Sequence, residues 1–159
     1  MSDIRISSDD SKVFLWINET DWVSASLIIS PYPKYTALLR ADHGGSVTIP
    51  KAPLNDCLDR LAIVASQDRG DLPKVTVTIT QKIFHMKMTV KDVGDCEESI
   101  TITDGPEDPF TVAFSLTFLM DAVRNTDGVT FQFAFGPGDR QSCMLTDETG
   151  WQSILMPRR

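Results

Sequence analysis

A chain of 159 residues with 42% apolar and 23% charged side chains has an ordinary globular composition, and it is long enough to bury a core without disulfides or metals. Its net charge of −7 argues against a tight grip on phosphates, which takes clustered Lys and Arg. No apolar run approaches the roughly 20 residues of a membrane span, the N-terminus lacks a signal peptide's segments, and Cys57, Cys96 and Cys143 are odd in number and far apart, as reduced thiols of a cytoplasmic protein would be.

Residues 1–32 carry strand signals and no helix. Residues 12–17 form a β-rich run, 18–21 have turn chemistry, and 22–29 make a second strand rich in Val, Ile and Leu. Pro31 and Pro33 break the pattern, since neither fits a central strand, and a linker runs on to Gly44-Gly45. After a short strand at 46–50 the period changes. Leu54, Cys57, Leu58, Leu61, Ala62 and Ala65 fall on one face of a helix over 51–66, with Pro53 in its first turn and Asn55, Asp56, Asp59 and Arg60 opposite. Ile63 and Val64 lie off that stripe, as two exposed aliphatic residues.

Strands follow at 74–80, 82–91 and 98–103, with Asp92-Val93-Gly94-Asp95 as a turn. Residues 110–114 form another strand, Ser115 is a candidate N-cap, and Leu116, Leu119, Met120 and Val123 repeat the helical spacing until Asp127-Gly128. Strands at 129–135, 142–146 and 152–156 complete the chain. Residues 46–159 therefore read as β-α-β-β-β twice, with helix faces offset by 62 residues from Leu54 to Leu116. The expected fold class is α+β, with two helices packed side by side against antiparallel sheets.

Several stretches agree with one known family. The linker Pro33-Lys34-Tyr35-Thr36-Ala37-Leu38-Leu39-Arg40, the helix at 54–66, the run Phe114-Ser115-Leu116-Thr117-Phe118-Leu119-Met120-Asp121-Ala122-Val123 and the tail Ile154, Met156, Pro157 together resemble the third, C-terminal domain of the bacterial DNA polymerase III β subunit, the sliding clamp. By that resemblance, residues 1–32 are the closing strands of a preceding clamp domain, 33–45 the linker and 46–159 the C-terminal-type domain. Two departures stand out: Ala37 replaces the family's linker arginine, and Phe118 stands where the family has Tyr. Both remove polar contacts.

The resemblance implies a DNA polymerase processivity factor in DNA replication, binding DNA without sequence preference by encircling it. Polymerase and other replication or repair proteins are the implied partners, tethered through short hydrophobic peptides, with a homo-oligomer or a complete clamp as the assembly. Pro33, Leu38, Phe118, Ser142, Ile154, Met156 and Pro157 would line the third-domain wall of the peptide cleft; ordinary core packing competes for Phe118, and a plain strand end for Met156-Pro157. Ile63 and Val64 match a subunit interface, against ordinary partial burial. Lys51, Arg60 and Arg124 would face DNA, against a solvated helix face. A free-standing clamp-like decoy or regulator, acting without encircling DNA, is the alternative.

No enzyme, cofactor or metal is expected. His43 and His85 are far apart and each reads as a satisfied or surface histidine, no ligand spacing suggests a metal, and Gly136-Pro137-Gly138 lacks the Lys-Ser/Thr of a phosphate loop.

Overall fold

The computed structural model describes residues 4–28, 30–32, 34–39, 43–66 and 73–158, arranged in two compact units, Met1–Lys34 and Tyr35–Arg159. The smaller unit is a three-stranded antiparallel sheet of β1 (Arg5–Ser8), β2 (Lys12–Trp16) and β3 (Trp22–Ser26). Its first strand was not resolved from the sequence pattern, and its last is shorter than the expected 22–29. Period-two alternation separates the faces. Ile6, Leu15 and Val23 share one cross-strand row, while Arg5, Trp16 and Trp22 share a row on the other face. Trp22 packs against Phe14 and Trp16 with ring centroids 5.9 and 5.7 Å apart.

The larger unit opens with one helical turn, α1 (Thr36–Leu39), inside the expected linker. The sequence repeat then appears twice. The first copy is β4 (Gly45–Pro50), α2 (Lys51–Ala65), β5 (Lys74–Ile79), β6 (Ile83–Val90) and β7 (Gly94–Thr101); the second is β8 (Phe110–Ser115), α3 (Leu116–Arg124), β9 (Thr130–Phe135), β10 (Cys143–Asp147) and β11 (Gln152–Leu155). The two copies exchange their first strands. One sheet runs β11-β10-β9-β4 and the other β7-β6-β5-β8, so each opening strand pairs antiparallel in the other copy's sheet.

The exchange also settles how the helices begin. The first amide of α2, Lys51 N–H, donates to the Val129 carbonyl at 3.0 Å, and that of α3, Leu116 N–H, donates to Pro73 at 2.9 Å. Ser115 does stand at the N-cap position, but it makes no side-chain cap bond, and its buried hydroxyl has no partner among the described residues. A backbone carbonyl from the facing copy has already taken the first amide that the helix start leaves open.

The core lies where the inner faces of both sheets meet the apolar stripes of α2 and α3. Leu54, Cys57, Leu58, Leu61 and Ala65 are buried as the periodicity predicts. Ile63 is 67% exposed, but Val64 is partly buried against the core, so the expected exposed pair is a single exposed residue. The β6–β7 hairpin is longer than the sequence suggests. Pairing runs to Val90↔Gly94, with Asp92 at φ 62° and Gly94 at φ 128° absorbing the reversal. Both nitrogens of His43 are buried without a hydrogen-bond partner among the described residues, unlike the satisfied or surface histidine expected.

One carboxylate organises the second copy's loops. Asp147 accepts from the Thr126 hydroxyl, from Gly128 N–H at 3.2 Å, from Thr149 N–H and Oγ1 at 2.9 and 2.7 Å, and from Trp151 N–H at 3.0 Å. Gly128 is needed for that approach, because a Cβ there would meet Asp147 Cβ at 2.6 Å. Burial pushes the Asp147 carboxyl up, but the Thr149, Trp151 and Gly128 donors outweigh it and hold the group below its usual value. A depressed folded pKa stabilises fully above the unfolded value of about 3.9 and is lost as pH falls through the folded one. Asp147→Asn is therefore expected to melt lower than the parent at pH 7, with the gap closing below about pH 4. Thermal unfolding followed across that range checks it; a gap independent of pH would contradict the assignment.

Candidate peptide-docking groove

The end of the chain forms the ridge of an exposed apolar surface. β11 runs antiparallel to β10, with Ile154 opposite Met144, and the chain then leaves the sheet. Pro157 has no N–H to extend the ladder. Beyond it, Arg158 N–H donates to the Ala113 carbonyl of β8 at 2.7 Å, so the tail crosses from one sheet to the edge of the other. Met156 is left 59% exposed on that crossing, and Phe118 on α3 is 60% exposed beside it. Large apolar side chains left this open and adjacent mark a contact surface.

Two apolar hollows flank Met156. One, of about 450 Å³, is lined by Phe114, Phe118, Ile154, Leu155, Met156 and Pro157, with Ser115 and Arg158 at its polar margin. The other, of about 670 Å³, is lined by Leu38, Gly44, Pro137, Arg140, Gln141, Ser142 and Met156. A third, more polar hollow of about 440 Å³ includes Val112, Asp139, Arg140, Met156, Pro157 and Arg158. Met156 belongs to all three.

Of the seven residues expected in the cleft, five thus meet around a sixth, Met156: Phe118, Ile154 and Pro157 on one side, Leu38 and Ser142 on the other. Ser142 is buried, and Pro33 lies outside the described residues. The loop from Phe135 to Ser142 had been read only as a break between strands, yet Pro137 and Arg140 shape the second hollow. Arg140 and Arg158 were missed as groove residues. The two charges in the tail were visible, but nothing in a linear pattern joins them to a loop before β10.

The other expected positions are placed as follows. Ile63 stands near the end of α2. Arg60 makes two bonds to Glu98 on β7, at 2.7 and 2.8 Å, which hold the Glu98 carboxyl below its ordinary value. Arg124 of α3 pairs with Asp59 of α2 at 2.6 Å, and Lys51 donates to the Thr126 carbonyl. All three cations are thus engaged within the protein rather than presented bare. Cys57 and Cys143 are buried free thiols, and burial pushes Cys143 up to about 12, far from a reactive thiolate. Among the described residues, no cluster of ligating side chains is suited to a metal, and no helix is long and apolar enough to cross a membrane.

Comparison with known proteins agrees with the geometry. Residues 36–157 match the model of the DNA polymerase III beta subunit, C-terminal domain. The beta sliding clamp of Bacillus subtilis (strain 168) is 22% identical over 134 residues, covering 83% of this chain and 35% of that protein. Among solved structures, the pol III beta of Caulobacter crescentus aligns over 98% of this chain and 41% of its own at TM-score 0.78 and 17% identity. The DNA polymerase III beta subunit of Thermotoga maritima aligns over 98% and 41% at TM-score 0.73 and 18% identity. The chain thus spans about two fifths or less of the length of these relatives. With the duplicated, strand-exchanged unit and a family match running from the linker helix to Pro157, this chain belongs to the DNA polymerase III β-subunit family, as a C-terminal clamp domain preceded by a three-stranded sheet.

Proposed function

We propose that this chain is the partner-docking part of a sliding-clamp processivity factor. Its task is to hold replication and repair proteins, a polymerase among them, by short segments with Leu and Phe anchors. The observation that carries this is the pair of exposed apolar hollows that meet at Met156, one lined by Phe118, Ile154 and Pro157 and the other by Leu38. Methionine adapts to varied apolar partners, so a ridge made of Met156 suits a surface that accepts several sequences. Tethering raises the local concentration of the captured enzyme, and processivity follows without any chemistry by this chain. It acts as a non-catalytic protein of the cytoplasm.

DNA is retained by encirclement rather than by affinity. With Arg60 and Arg124 already paired to carboxylates, the α2–α3 surface offers little unpaired positive charge. A ring needs further copies or a longer partner, and exposed Ile63 with the edge strand β7 supplies a surface for that contact.

Fluorescence polarisation with labelled Gln-Leu-Ser-Leu-Phe tests the docking reading. Saturable binding is expected, weakened roughly tenfold or more by Met156→Ala and by Phe118→Ala. Both side chains are exposed, so far-UV circular dichroism should be unchanged in the variants. Absence of binding up to millimolar peptide would overturn the proposal.

A further inference from the structure

We infer that the three-stranded sheet of the smaller unit is an interface between two copies of this chain, its charge-free apolar face packing on the same face of the second copy. This goes beyond the docking reading and does not rest on it.

Register and alternation sort the side chains of β1, β2 and β3 onto two unlike faces. One carries Ile6, Leu15 and Val23 in a row, with Ser8, Val13 and Ala25 in the next. Within the strands, no charged residue lies on that face. The other face mixes Arg5 and Lys12 with serines and with Phe14, Trp16 and Trp22, whose rings already pack together. On the charge-free face Ile6 is 66% and Val23 54% exposed, while Val13 and Leu15 are only half-buried. The inner face of β5, by contrast, is closed, with Val75, Val77 and Ile79 at 0%.

The unit Met1–Lys34 is smaller than the roughly 40 residues below which a fold draws on disulfides, metals or association. Its sequence contains no cysteine, and no metal-ligating cluster is found among the described residues. Association is what remains, because a sheet with one apolar face needs a second layer against it.

A second copy of this chain supplies that layer. Two chains that each carry a net charge of −7 repel over most of their surface, but on this face neither buries a charge against the other. A two-fold axis sets each row of side chains against the rows of its image, in the aligned geometry of sheets packed about 10 Å apart. The apolar side chains of both copies would together bury on the order of 1,000 Å², the lower bound for a specific interface. That area fits a reversible dimer with a micromolar dissociation constant.

Sedimentation velocity of the whole chain, run from about 1 to 300 μM, tests this. The parent is expected to pass from monomer to dimer across that range. Val23→Lys, which brings an ammonium into the interface, should weaken dimerisation roughly tenfold or more. Ser8→Lys should do the same. Ser8 is exposed and polar, so this variant removes no apolar contact of the sheet and keeps the test valid if Val23→Lys fails to fold. Ile63→Lys on α2 is the control and should leave the midpoint unchanged. A parent that stays monomeric to the top of the range would overturn the proposal and assign the face to a different partner. So would a dimer that withstands both sheet variants, whatever Ile63→Lys does. Peptide binding at the groove is measured separately, so the failure of either reading leaves the other standing.

Discussion

Phe133→Ala is expected to destabilise the larger unit by about 3–5 kcal/mol, the cost of removing a fully buried ring and leaving its cavity. Phe133 sits on β9, flanked in register by Val47 of β4 and Leu145 of β10, and is 1% exposed. Its ring also meets Phe84 and Phe114 edge-on, with centroids 5.8 and 6.1 Å away, and both of these belong to the other sheet. The one side chain therefore joins the two sheets at the centre of the core. Against a typical stability of about 5–15 kcal/mol, the loss is a large share. Urea unfolding followed by far-UV circular dichroism measures it, and Phe133→Leu, which keeps most of the volume, should cost less than about 1.5 kcal/mol. Similar midpoints for the parent and the alanine variant would refute the bridging role.

Gly105→Ala should come next in size. Gly105 lies between β7 and β8, where its N–H donates to the Gln81 carbonyl at 3.2 Å. A Cβ there would stand 1.8 Å from the Thr80 carbonyl oxygen and 2.7 and 2.8 Å from the carbonyl carbons of Thr80 and Gln81. Those atoms are backbone in the tight β5–β6 turn, closed by Thr80 N–H to the Ile83 carbonyl at 2.9 Å, and cannot swing aside as a side chain would. Overpacking of this kind costs about 1–3 kcal/mol, with the upper end expected here. Gly138→Ala is the control. Its Cβ would meet nothing within 4 Å, so its melting temperature should stay close to the parent's. Equal shifts in the two variants would show that the close approach at Gly105 is unimportant.

Much of this architecture was legible because local patterns carry it. The 3.6-residue stripe of Leu54, Leu58 and Leu61 and the alternation of Val75, Val77 and Ile79 report which face of each element is buried, and burial follows them closely. The same patterns do not report which strand lies beside which. Nothing in Ser46-Val47-Thr48-Ile49 says that its neighbour is β9, and so the exchange of opening strands was invisible. Ser115 stands at the N-cap position its local pattern predicts, but the carbonyl that satisfies the helix's first amide comes from Pro73, which no local pattern could show. Val64 was misread because a strict helical wheel leaves out partial contacts at the edge of a stripe. At the groove, apolar positions were legible from the tail and the second helix, whereas Arg140 belongs to a loop whose only sequence signal was Gly and Pro.

The exchange of β4 and β8 bears on the order of events at the ribosome. Synthesis delivers β4 and α2 early, but Gly45 pairs with Phe135, ninety residues later, and Lys74 pairs with Ser115. The first copy cannot complete its sheet until β8 has emerged, and β4 stays unpaired until β9 follows. Such distant pairings delay folding, since loop closure is required before they stabilise anything. The nascent chain must therefore carry the apolar faces of Val47, Ile49 and α2 uncovered until those later strands have been made.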